Sequence, residues 1–439
     1  MIKIYTFIFF LILENTISYF SIPFKYQDLP LNLDDDSLIK HLFFDAIFIN
    51  VTIGSSNQII PMKIKSSDNL FYIIDSNTTS YNGAKFDSNK STTLEILNKK
   101  KIIYINEDIA HGILVNDNFK IGEKKINKLN FTLSNDLRKN SMIQGAGAIG
   151  LGVHTLSTKK EKQSFLIQLK TLNLIDFYTF TFYFSKKNEG NLIIGNYLYD
   201  IDKPYYGKEA FKDINCDNEF DNIYAIKSEF YIGKNELNSF NLLFGVNLGL
   251  IIGSTDYLYN IQPDFFDSLI SQGKCEKKSI DINNINILNY NEMKYIYFVC
   301  NKNINLKNFP PLIIRHIELS FNLEFTYEDL WMEYNNKKYF LVVFPDSTET
   351  EFYLSFLMGN IMFKKYDVTF DADRNIVGFY DKNKKYANSN KFLYLLFFAI
   401  LIGAFLYFIS VIKKYRKRMV KKKLAHELEE EGFFSSLKN

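Results

Sequence analysis

A segment of eight residues recurs in this chain as a near-copy. Ile64-Lys65-Ser66-Ser67-Asp68-Asn69-Leu70-Phe71 returns far downstream as Ile252-Gly253-Ser254-Thr255-Asp256-Tyr257-Leu258-Tyr259, and each copy follows an apolar, strand-like run. Later in each half comes an apolar-apolar-glycine element, Ala148-Ile149-Gly150 in the first and Leu357-Met358-Gly359 in the second. Parts that recur in the same order mark a duplicated fold. The chain is therefore expected to build two similar halves, each presenting one loop of the same kind.

Both halves read as β. Ala46 to Ile53 alternates, with Ile47, Ile49, Val51 and Ile53 on one face. Phe177 to Phe184 alternates aromatic residues with Thr and Tyr, and Gly190 to Gly195 encloses a short apolar run. Tyr295 to Val299 and Tyr339 to Phe344 are further apolar, aromatic runs. Many short runs with few long helical patterns predict an all-β body. Short helices are predicted over 162–172 and 263–271, the second with Pro263 in its first turn.

The two ends carry targeting signals. Lys3, the apolar stretch 4–13 and the small residues Thr16 and Ser18 compose a secretory signal peptide over residues 1–18. Phe392 to Ile412 runs 21 residues without a charge, and about 20 suffice for a transmembrane helix. Eight cations between Lys413 and Lys423 follow at once. They hold that flank in the cytoplasm and suit anionic lipids. A single-pass type I protein is predicted, in the secretory pathway or at the cell surface. The divisions are a leader over 19–43, a first lobe over 44–200, a second lobe over 201–381, a linker over 382–391, the span 392–412 and a tail over 413–439. The net charge of +3 comes largely from the terminal cluster, so it does not argue for nucleic acid as a partner.

Cys216, Cys275 and Cys300 are the only cysteines. In an oxidising compartment two can pair. Cys275 and Cys300 bracket one predicted strand pair and are the favoured bridge, which leaves Cys216 over. No Cys/His spacing suggests a metal, and neither a metal nor a cofactor is expected. Asn50, Asn77, Asn89 and Asn130 each head a glycosylation sequon, all in the first half.

A set of short motifs resembles the pepsin-like aspartic protease family from about Ala46 to Tyr380. Ile53-Gly54 with Gln58 resembles the family's opening, and Ser67 to Phe71 its first active-loop tail. Phe86-Asp87-Ser88 with Ser91-Thr92-Thr93 follows. Tyr104, then Gly112-Ile113-Leu114 with Asp117, resembles the flap, although Ile105 replaces the glycine expected after the flap tyrosine. Gly190 to Gly195, Leu357-Met358-Gly359-Asn360, and Phe363 to Asp371 with Val377-Gly378-Phe379 complete the series. The resemblance implies a bilobal, pepsin-like (acid protease) fold with short helices, ahead of the C-terminal transmembrane helix.

It also implies where chemistry should sit. The family's two aspartates share one proton across the lobe junction and activate water between them. In this alignment both positions are isoleucine, Ile64 and Ile252, and a one-residue slip offers only Lys65 or Gly253. An isoleucine has no lone pair and no proton to give. Asp68 and Asp256 recur four residues further on, about 13 Å along an extended chain, and read as turn-stabilising carboxylates. The expectation is a catalytically inactive membrane protein whose cleft takes an extended peptide or protein ligand by strand pairing. A divergent active endopeptidase using Asp68 and Asp256, and an adhesive ectodomain without a working cleft, are the alternatives.

Overall fold

The structure is a computed structural model and describes residues 18–26, 29–66, 70–103, 109–137, 145–152, 164–186, 188–201, 206–216, 224–283, 292–346, 355–384 and 391–436. Residues 1–17 of the proposed signal peptide, Asp68 and Tyr104 lie outside them. Met1–Lys385 and Tyr386–Asn439 are separate compact units. The first is a mostly β, two-lobed body. Its described strands form one sheet of 13 and one of 11.

Six strands at one end of the larger sheet join the lobes. Their order is Phe211–Asn215, Ile376–Tyr380, Val368–Asp371, Thr179–Lys186, Glu189–Ile194 and Phe20–Tyr26. All neighbours are antiparallel. The sequence explains the choice, because these strands alternate large apolar residues on the face that meets both lobes. Phe180 stacks on Phe370 with ring centroids 4.9 Å apart, and Phe182 lies 6.1 Å from Phe24 and 5.6 Å from Phe363. Such pairs add about 0.5–1.5 kcal/mol each beyond their burial.

The stretch 19–43 is built into this body. Phe20–Tyr26 pairs with Glu189–Ile194 on one side and begins a ladder to Ile47–Ile53 on the other. After it comes the helix Asp35–Phe43. Asp34 caps it by accepting from the Ser37 amide at 2.7 Å, and Asp35 and Asp36 sit in its first turn, where carboxylates favour the helix dipole. Leu38, Ile39, Leu42 and Phe43 are its buried face.

That helix precedes the first lobe in sequence and is held by the second. Asp35 accepts from Lys278 at 2.6 Å, from Lys337 at 2.8 Å and from Tyr339 at 2.7 Å. Tyr297 donates to Asp36 at 2.5 Å, and Phe43 packs on Tyr295 at 4.8 Å. Burial pushes the Asp35 carboxyl up, but the two lysines and the tyrosine outweigh it and hold it at about 2 against an ordinary 3.8. A carboxyl depressed in the folded state contributes stability above its unfolded pKa, and that contribution is lost as pH falls from about 4 through about 2. Asp35→Asn is therefore expected to cost about 1–2 kcal/mol at pH 7, after discounting for the partly exposed lysines, and little at pH 2. Urea denaturation of both proteins at the two pH values checks this. Equal losses at both would mean that the ion pairs are not the cause.

The predicted helices appear with shifted limits. Phe165–Thr171 is helical, and the first residues of the expected stretch, 162 and 163, lie outside the described residues. The stretch expected over 263–271 begins earlier, at Thr255, and runs to Ser271. A π-turn occupies Gln262–Phe266, at the place where Pro263 lacks an amide hydrogen and the regular ladder cannot continue. The run expected over Tyr339 to Phe344 is two strands, Lys337–Phe340 and Val342–Pro345.

The second unit is one helix, Lys391–Ser436. Its apolar part is long and apolar enough to cross a membrane.

Candidate functional site

Each lobe contains one interrupted ladder. In the first, Gln58–Lys65 and Phe71–Ile74 are consecutive strands but not neighbours, because Gly147–Gly150 lies between them. It runs parallel to the first and antiparallel to the second, and Ile149 is the partner of both Ile64 and Phe71. In the second lobe, Ser355–Met358 lies between Asn235–Phe244 and Ile251–Ile252 in the same two senses, and Met358 is the partner of both Phe244 and Ile251. The chain between the paired residues advances by seven positions in each lobe.

The matching loops are therefore 64–71 and 244–251. This corrects the assignment of Ile252 as a lost catalytic position. Ile252 pairs with Leu357 and Val343, the place that Tyr72 holds against Ala148 and Thr132 in the first lobe. The Ser-Thr-Asp that resembled an active loop starts a helix instead. Ser254 Oγ accepts from the Tyr257 amide at 3.2 Å, and Asp256 lies in the first turn. The same residue types serve both purposes, since Ser and Asp suit helix starts as well as turns.

Contacts across the seam agree with the ladders. Asn247 Nδ2 donates to the Ile64 carbonyl at 2.7 Å, and its Oδ1 accepts from the Ile47 amide at 3.2 Å. Gly249 N donates to Leu42 O at 2.7 Å, and Asn360 N donates to Leu248 O at 2.6 Å. Ile64 is fully buried in the main core. Phe244 packs 5.5 Å from Phe370, 6.2 Å from Phe379 and 6.4 Å from Phe363, so its ring enters the core beside the interlobe sheet. Extended chain sends alternate side chains to opposite faces. The residues that turn away from the core are then the next ones, half-buried Lys65 and Gly245. None of these four can act as a carboxylic acid.

A buried carboxyl also lies beside these contacts. Asp45 is 8% exposed, and Asn360 Nδ2 reaches its Oδ2 at 3.3 Å. Burial pushes its pKa up, and Lys364 and the Asn360 bond pull against that. The second loop carries Val246, Leu248 and Leu250, all buried. Asp256 stands elsewhere, in a surface pocket of about 330 Å³ with Glu236, Leu237, Asn238 and Asn260. There it accepts from Asn238 Nδ2 at 2.7 Å. Asn247, Asp45 and Asn360 were missed as seam residues. Only Asn360 carried a signal, its place after Leu357-Met358-Gly359.

The segment that resembled a flap contains a hairpin of Glu95–Ile103 and Ile109–Ile121, and Tyr104 lies outside the described residues. Cys275 and Cys300 face each other in the Cys275–Asn283/Glu292–Asn301 hairpin and form a disulfide. Cys216 is buried and takes no part in it. Asn50, Asn77 and Asn89 are exposed. Asn130 is half-buried, and Gln168 binds both its backbone amide and its carbonyl. Among the described residues no group of three His, Cys, Asp or Glu is placed to hold a metal.

A family model described as eukaryotic aspartyl protease matches residues 46–382. No curated protein matches the chain at a significant level.

Proposed function

Because the chain belongs to the eukaryotic aspartyl protease family, we propose that it is a catalytically inactive, membrane-anchored member whose interlobe groove binds an extended peptide or protein partner. The observation that carries this reading is the identity of the residues at the two matched loop positions. They are Ile64 with Lys65, and Phe244 with Gly245. The family's reaction needs two acids there with different protonation states. A lysine and a glycine cannot share a proton and hold a water between them.

The partner class follows from what is kept. Both interrupted ladders are present, as is the hairpin that resembled a flap, which supports a groove that pairs with an extended chain through backbone bonds. An active enzyme built on Asp68 and Asp256 is disfavoured by the engagement of Asp256 at a helix start and with Asn238. The anchor is the helix containing 392–412, with a signal at 1–18, lobes over 44–200 and 201–381 in the lumen or outside the cell, and 413–439 in the cytoplasm.

The test is direct. The purified full-length protein, incubated with a peptide library between about pH 3 and pH 7, is expected to bind members of the library and to cleave none above a blank. Cleavage abolished by pepstatin would overturn the proposal. Absence of both binding and cleavage would favour a purely adhesive ectodomain.

A further inference from the structure

The helix Lys391–Ser436 does not stop where its apolar part ends. It continues through basic residues at 413, 414, 416–418 and 421–423, all exposed. The first carboxylate after the apolar part is Glu427. Among the described residues no ion pair engages these cations.

We infer that this helical segment is a docking surface for the anionic lipid headgroups of the membrane it enters, graded along its length. The inference rests on the membrane-anchor reading above. The grading follows from helix geometry and screening. At 1.5 Å per residue, Lys413 and Lys414 lie within about 3 Å of the end of the apolar part, Arg416 to Arg418 within about 9 Å, and Lys421 to Lys423 at about 13–16 Å. The Debye length at physiological salt is about 8 Å. On a helix leaving the bilayer steeply, the first five cations feel the surface strongly and the last three feel it weakly. A helix bent flat onto the membrane would engage all eight alike. Headgroup phosphate and carboxylate oxygens complement this charge, and a cation near such a surface strengthens binding by about 5-fold.

The experiment uses the full chain in phosphatidylcholine vesicles containing a trace of spin-labelled phosphatidylserine or spin-labelled phosphatidylcholine. Electron paramagnetic resonance gives the fraction of each held at the protein. Phosphatidylserine is expected to be preferred by about 5-fold or more at low salt, the preference fading near 1 M salt. The variant K413Q/K414Q/R416Q/K417Q/R418Q should lose it, and K421Q/K422Q/K423Q should keep most of it. Inorganic phosphate should compete no better than chloride at equal ionic strength, because the site is a surface and not a phosphate pocket. Equal association of both lipids with the native protein would overturn the inference. Equal losses in the two variants would overturn the grading. If the native protein is stripped from vesicles by alkaline carbonate, the anchor reading itself fails and takes this inference with it.

Discussion

Replacing Ile64 by aspartate is expected to destabilise the body by about 4–5 kcal/mol at pH 7, whereas Lys65→Asp should change stability by less than about 1 kcal/mol. Ile64 is fully buried. Removing it forfeits about 2–3 kcal/mol of apolar burial, and the new carboxyl adds about 1–3 kcal/mol as an unpaired polar group. Lys65 is on the opposite face and half-buried. The pH dependence separates this from simple loss of packing. A carboxyl in that core would have its pKa raised above the unfolded value, so the penalty should shrink below about pH 4 and reach its full size near pH 7. Denaturant midpoints of both variants at the two pH values measure it. If Lys65→Asp were the more damaging change, the strand would be facing the other way, and the matched positions would have to be reassigned.

Loss of the disulfide should be nearly as large. Cys275 and Cys300 are separated by 25 residues, and a loop of that size corresponds to about 3.5 kcal/mol in the chain-entropy treatment. The double substitution Cys275→Ala, Cys300→Ala is expected to lower the denaturation midpoint accordingly. The effect should be confined to that hairpin's lobe, because the bridge closes a loop with no strand in the interlobe sheet. Hydrogen exchange resolves this. Faster exchange in 275–301 and 337–345 with unchanged protection of 179–194 is the expected pattern, and uniform loss of protection would speak against it.

The all-β, two-lobed architecture was legible because it rests on many weak signals that agree, such as the alternation at Ile47–Ile53 and the closing Val377-Gly378-Phe379. The first interrupted ladder falls where the sequence placed a loop between Ile64 and Phe71. The second was not legible. The segment at the matching ladder position, Phe244-Gly245-Val246-Asn247-Leu248-Gly249-Leu250, is so apolar that it reads as part of a strand. Ser254-Thr255-Asp256 lies a few residues downstream and offers a more familiar pattern. Side-chain chemistry alone cannot tell a turn from a helix start, whereas the ladder partners Ile149 and Met358 can. The place of residues 29–43 was hidden for another reason. What holds Asp35 and Asp36 comes from 278, 297, 337 and 339, too far along the chain for any local pattern to show.

The sheet that joins the lobes also sets a timetable for biosynthesis. Thr179–Lys186 needs Val368–Asp371 as its outer neighbour, yet that partner is made much later. At translation rates of about 5–20 residues per second, the earlier strand waits roughly 10–40 s with one edge uncovered. Its Thr-Phe-Thr-Phe-Tyr-Phe sequence is sticky in that condition. The nascent polypeptide is thus a natural client for chaperones that shield bare β edges, and its yield should depend on them until the last strands of the sheet emerge.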